Sequence, residues 1–302
     1  MAVVVWGAYV RASGSGAGCG DHWPLCNGEL VPLASQAGTL IELAHRATSG
    51  LALLLVVGLF IGVSRTFSAG HLARKSAGLA MFSIIVESAL GALIVLANFT
   101  GNNTSTMRAL VVALHLVNTL ILLGAIVLTT WWSGGGKSWQ WRQHPAQTAL
   151  FAGGAIGFAL LGSSGAVAAL GDTLFPATSV AQGLQVDLSL AVSLLIRLRV
   201  LHPLFAVFMG VFACAMALFV ARRAGSRRTR NLAWIHLGLF CVQCGLGLLN
   251  IALLAPIPLQ LAHLLLADCV WIAYIWLVAS ALTEPNTALI LDVTRVQTVR
   301  AT

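Results

Sequence analysis

Charge is what this sequence has least of. Only 9% of its 302 residues are Asp, Glu, Lys or Arg, while 58% are hydrophobic. A soluble globular domain is about one quarter charged, so that class is excluded. The apolar segments suit helices of about 20 residues rather than the shorter strands of a membrane barrel, which excludes the second class. Met1 to Val10 does not read as a secretory leader, being apolar but with no basic n-region and no cleavage site. Being half the length of a span, it is expected to be the outer end of a first helix whose beginning lies outside this sequence. The glycines from Gly14 to Gly18 do not complete a dinucleotide fingerprint, because the sixth position from Gly14 is Cys19 and no strand precedes them. No thiolate or carboxylate set stands at zinc spacing beside the histidines. Of six cysteines only Cys19 and Cys26 lie outside apolar segments.

What is present is a series of seven further apolar segments, near 41–64, 78–98, 108–131, 148–168, 199–221, 232–253 and 260–282. The net charge of +8 is explained by where its carriers sit rather than by nucleic acid. Twelve Lys and Arg fall in one alternating set of connections and in the tail: Arg65, Arg74, Lys75, Lys137, Arg142, Arg222, Arg223, Arg227, Arg228, Arg230, Arg295 and Arg300. The other set holds only Arg11, Arg108, Arg197 and Arg199. The positive-inside rule puts the first set and the carboxyl terminus in the cytoplasm. Loops 11–40, 99–107, 169–198 and 254–259 then face outward. Trp131, Trp132, Trp139 and Trp141 read as an interfacial belt at the inner end of the fourth helix.

The stretch from Ile41 to Gly50 opens the first complete span and carries Glu42, His45 and Arg46 on one helical face. Ionisable groups at that depth cost several kcal/mol (roughly 2.5 to 3.5 on insertion scales) and are functional candidates by default. His45, His115, His202 and His263 all fall on even-numbered helices, within about two turns of the outer surface. Opposed histidines at one depth make a bis-imidazole haem site. His22, His71, His144 and His236 read as surface residues in loops or at an inner helix end. His202 follows His45 by 157 residues and His263 follows His115 by 148. That regularity predicts an all-α, eight-helix membrane bundle of two parallel four-helix repeats, residues 1–147 and 148–302, with the first helix truncated.

The repeats differ where Glu42 corresponds to Arg199. An acid beside a haem moves protons or stabilises a developing cation; a base pairs with a propionate. The first half is therefore expected to hold a reacting haem and the second a resident one, the plainer alternative being that Glu42 only pairs with Arg46. Cys19 and Cys26 lie in an oxidising compartment by this topology, which favours a disulfide, either a structural staple or a redox-active pair. Cys214, Cys241, Cys244 and Cys269 read as small packing residues inside apolar helices.

Together the loop from Arg11 to Gly28 with its Cys19 and Trp23-Pro24-Leu25-Cys26, the Glu42-x-x-His45-Arg46 stretch, and His115, His202 and His263 on alternate helices resemble the haem A synthase family. The resemblance implies that haem O is the substrate and that one ring methyl becomes the formyl group of haem A through successive hydroxylations. It implies a resident haem b on His202 and His263, with Arg199 beside it. It places the substrate haem between His45 and His115, with Glu42 as the functional acid and Cys19–Cys26 as an outer-loop disulfide. A bacterial plasma membrane location follows, with membrane lipid, haem O synthase and an oxidase subunit as candidate partners. Loop 169–198 has no cysteine, whereas some members carry a second pair there. Two other classes share the four histidines: a di-haem b-type electron carrier, which has no need of Glu42, and a haem-binding transporter or chaperone.

Overall fold

The fold is a computed structural model that describes residues 1–32, 36–188 and 194–284, and not the side chains of 187–198. Arg197, Arg295 and Arg300 lie outside the described side chains. Among the described residues, seven helices are long and apolar enough to cross a membrane: α2 (Ala37–Thr66), α3 (Leu72–Leu96), α4 (Thr106–Ser133), α5 (Pro145–Leu174), α7 (Leu194–Arg223), α8 (Arg227–Ala252) and α9 (Ile257–Ala281). The span of α7 is counted from Arg199. Two short helices accompany them, α1 (Ala2–Ala12) and α6 (Val180–Leu188). Among the described residues there is no strand, only an isolated bridge between Cys26 and Glu29. This is an all-α membrane bundle.

Local chemistry sets the helix starts. Ser105 and Ser226 accept at their hydroxyls from the backbone N–H of Arg108 and Thr229, satisfying donors that a helix start leaves unpaired. Pro145 opens α5, where its missing N–H costs nothing. Several boundaries differ from the sequence expectation; α3 and α8 begin earlier, at Leu72 and Arg227. α5 continues past 168 to Leu174, and α7 is helical from Leu194, so the loop expected over 169–198 is shorter and holds α6. The added turns of α5 carry Asp172, which hydropathy penalises but which Arg199 Nη1 meets at 3.2 Å.

α3 packs on α4, α5 on α7, and α8 on both α7 and α9, while α4 also meets α5 and α9. The largest core joins Phe151 and Phe158 of α5, Met209 and Met216 of α7, Phe240 of α8, and Tyr274 and Leu277 of α9. α4 is tied to it by Trp271 Nε1, which donates to the Leu120 carbonyl at 2.7 Å.

Three sequence expectations are corrected here. His236 is no surface residue: it is fully buried, its ring edge-on to Phe158 and its Nδ1 3.3 Å from the Val270 carbonyl. Five neighbouring arginines made it look like a helix end; its face of α8, turned toward α9, is what buries it. Trp131 and Trp132 are buried rather than spread along an interface, packed with Trp139 and Trp276. Arg228 lies over the Trp131 ring. Trp141 alone of the four is exposed, with Arg142 above its ring. Arg11 turns inward, donating to the Ala169 carbonyl, to Thr173 Oγ1 at 2.8 Å and to Gln260 Oε1 at 3.1 Å. It joins α1 to α5 and α9, satisfying with backbone and side-chain oxygens a charge that lipid would not solvate.

Candidate functional site

The site begins at the loop before α2. Cys19 and Cys26 are buried, with their sulfurs 1.97 Å apart. Gly18 is where the loop meets the helix: a Cβ there would stand 2.6 Å from the backbone of Gly38, so only glycine permits this approach. Thr39 Oγ1 donates to the Gly18 carbonyl at 2.8 Å. The approach brings the Cys19 N–H to 2.9 Å from Glu42 Oε2. Arg46 closes the other side. Its Nη2 and Nε donate to Glu42 Oε1 at 2.5 and 3.2 Å, and its Nη1 donates to the His22 and Leu25 carbonyls. Glu42 is thus 3% exposed, with one oxygen held by arginine and the other by the loop backbone. The pairing with Arg46 that sequence offered as the plainer alternative is present. It serves to fix the acid one turn from His45, on the same face.

The histidines fall into two sets, of which His202 and His263 form a close pair. His202 and His263 have ring centroids 6.4 Å apart and planes at 90°. Metal–imidazole bonds of about 2.0–2.1 Å on both sides of one iron place ring centres about 6 Å apart, so this pair has the spacing of two axial ligands. His45 and His115 lie within electrostatic range of each other. Nδ1 of His45, His115 and His263 is buried without a hydrogen-bond partner, while His202 Nδ1 meets Ser164 Oγ at 3.0 Å. Backbone closes against the rings: a Cβ at Gly7, Gly165 or Gly247 would stand 2.9, 2.9 or 3.1 Å from Cε1 of His45, His202 or His263. Among the described residues no three His, Cys, Asp or Glu gather to hold a bare metal ion. A pair of imidazoles suffices for an iron that brings its own equatorial nitrogens, as haem does.

Arg199 lies one turn before His202; it also donates to the Phe175 carbonyl at 3.2 Å, in addition to its Asp172 pair. Sequence reading missed two acids inside apolar spans. Glu87 of α3 stands 3.4 Å from His115 Nδ1. Asp268 of α9 is 1% exposed, with Oδ2 unpartnered. The signal for both was available: a carboxyl group within an otherwise apolar span is expensive and so has a reason.

Bundle and site together define a multi-pass membrane protein with two histidine pairs in its interior and an acid fixed beside one of them. The chain belongs to the COX15-CtaA family of cytochrome oxidase assembly proteins, which matches residues 1–275. It is 49% identical over 281 residues to a "Protoheme IX farnesyltransferase" of Thermus thermophilus, a match that covers 93% of this chain and 46% of that protein. It is 36% identical over 130 residues to the "Heme A synthase" of Bacillus mycoides and to that of Bacillus cereus, covering 43% of this chain and 39% of each relative. The chain spans about half the length, or less, of the curated relatives it matches.

Proposed function

We propose that the chain is a haem A synthase, an enzyme of haem modification that oxidises a ring methyl of haem O to the formyl group of haem A. The observation that carries this reading is Glu42, anchored by the Cys19 N–H and Arg46 one turn from His45. An electron carrier has no use for an acid held so firmly at a haem rim.

In this reading His45 and His115 hold the substrate haem O, and His202 and His263 hold a resident haem b near Arg199. The haem b supplies one-electron transfer. Oxidation of the methyl passes through two hydroxylations, each taking two electrons from the carbon; with dioxygen as oxidant, one oxygen atom enters the C–H bond and the other leaves as water with two electrons from the reductant. The resulting gem-diol loses water to give the aldehyde. Glu42 sits to accept a proton or to face positive charge developing at the rim. Arg46 and the Cys19 N–H keep the carboxyl group oriented, so no reorganisation is needed when charge appears. The two halves, 1–147 and 148–302, are repeats in this reading. Support comes from matched contacts: Gly7 against His45 as Gly165 against His202, and Glu87 against His115 as Gln243 against His263. The protein is placed in a bacterial plasma membrane with its carboxyl terminus in the cytoplasm. Haem O synthase and an oxidase subunit are its candidate partners for receiving and delivering haem.

The similarity to the Thermus protein favours a second reading, farnesyl transfer to protohaem. Prenyl transfer must stabilise a departing diphosphate, work suited to a divalent cation held by clustered carboxylates. The carboxyl groups of this bundle are instead dispersed, Glu42 and Glu87 each beside a histidine. One experiment separates the readings. Purified protein is incubated with haem O and a reductant, and in parallel with protohaem and farnesyl diphosphate, and the extracted pigments are weighed by mass spectrometry. A formyl product from haem O is expected. Haem O formed from protohaem would establish the second reading, and neither product would leave a di-haem carrier.

The loop disulfide belongs to the same proposal. Alkylation without reductant, read by mass, is expected to leave Cys19 and Cys26 unmodified. The thiols of Cys214 and Cys241, which are not paired, are expected to react once the protein is denatured. Free thiols at Cys19 and Cys26 would count against a disulfide that holds the loop on Glu42.

A further inference from the structure

Glu87 is an ionisable group for which neither the sequence pattern nor the reaction chemistry has so far given a use. It sits in α3, nine residues before the helix ends at Leu96. Oε2 accepts from Asn118 Nδ2 and Oε1 from Thr119 Oγ1, each at 2.5 Å. Both partners are on α4, three and four residues beyond His115, so the three contacts share one patch of that helix. Oε1 is also 3.4 Å from His115 Nδ1, a buried nitrogen that has no hydrogen-bond partner. The other half offers an internal comparison. Gln243 sits in α8, also nine residues before its end at Ala252. Its Nε2 is 3.2 Å from His263 Nε2. The two halves therefore set side chains of the same shape against a ring nitrogen of the histidine, a carboxyl group at Nδ1 of His115 and a neutral amide at Nε2 of His263. Shape and packing do not require that difference.

We propose that Glu87 is a positioning residue: it accepts the Nδ1–H hydrogen bond of His115, turns Nε2 toward the substrate haem, and makes His115 a stronger axial donor than His263. This rests on the haem-ligating roles given above to the two histidine pairs. The physics is that of a carboxyl group behind a metal-bound imidazole. It fixes the tautomer and ring orientation and raises ligand basicity, and its loss costs about 10–100-fold in metal affinity or activity. A more basic ligand favours the ferric state, so the haem beside Glu87 has the lower midpoint potential. Asn118 and Thr119 hold the carboxyl group in place, and a fixed acceptor orients the ring better than a mobile one.

The test uses the purified full chain loaded with haemin, comparing the unmutated protein with Glu87→Gln, Glu87→Asp and Gln243→Glu. Haemin affinity and a redox titration are the readouts. Glu87→Gln is expected to weaken one of the two haems about 10–100-fold and raise its potential, leaving the other unchanged. Glu87→Asp is expected to restore part of the shift, and Gln243→Glu to lower the potential of the other haem. A merely structural Glu87 would not move a potential, so a folded Glu87→Gln with both haems unchanged overturns the proposal. If Glu87→Gln does not hold the bundle together, Gln243→Glu decides, and no shift there overturns it as well. The same preparations, given haem O and a reductant, keep the two readings apart. A shifted potential with no haem A from the unmutated chain sinks the enzyme reading alone. Haem A formation with unshifted potentials sinks the role of Glu87 alone. No haemin bound by the unmutated chain sinks both.

Discussion

Glu42→Gln is expected to lower haem A formation about 10²–10⁴-fold, the usual effect of removing one general acid–base group. The substitution keeps the side-chain shape but leaves one acceptor oxygen where the structure uses two. Arg46 occupies Oε1 and the Cys19 N–H occupies Oε2. The glutamine oxygen can keep either, and its NH₂ group then faces the other donor. Arg46 retains the His22 and Leu25 carbonyls, so its charge is not left unpaired. The bundle and both haems are therefore expected to survive, with the spectrum of the bound haems as the control. The hydroxymethyl intermediate should accumulate if the second hydroxylation depends more on the acid. Haem A produced at the unmutated rate would reduce Glu42 to the structural partner of Arg46, and the electron-carrier reading would gain.

The second large effect separates the histidine pairs. His202→Ala or His263→Ala is expected to lose about half of the bound haem, the resident haem b, because a bis-histidine haem needs both ligands for full affinity. His45→Ala or His115→Ala should leave haem b bound and abolish turnover. Pyridine haemochrome spectra of the four variants read this directly. The opposite pattern, with the resident haem lost from His45→Ala, would exchange the roles of the halves.

Much of this was open to a reader of the sequence. Long apolar runs, the asymmetric placement of arginine and the 3.6-residue period fix helices and mark Glu42, His45 and Arg46 as one face, because these depend on neighbours within one turn. The recurrence of histidines at offsets of 157 and 148 pointed to pairs before any contact was known. His236 shows where this stops. Five arginines stand six to fourteen residues before it in sequence, and its neighbours in space are Phe158 and Tyr274, which belong to other helices. Arg11 stops it likewise: a basic residue at a helix end looks solvated until α5 and α9 close over it.

By itself, then, the sequence determined that this is a helical membrane bundle with ionisable groups inside apolar helices, since the cost of charge in hydrocarbon is a property of each segment alone. Tertiary structure alone decided what those groups touch. That the Cys19 N–H reaches Glu42 follows from Gly18 lying against Gly38 across a loop. That Glu87 stands at His115 while Gln243 stands at His263 follows from how α3 packs on α4 and α8 on α9. Contacts between helices depend on rotation and register set by the whole packed interior, and no single segment encodes them.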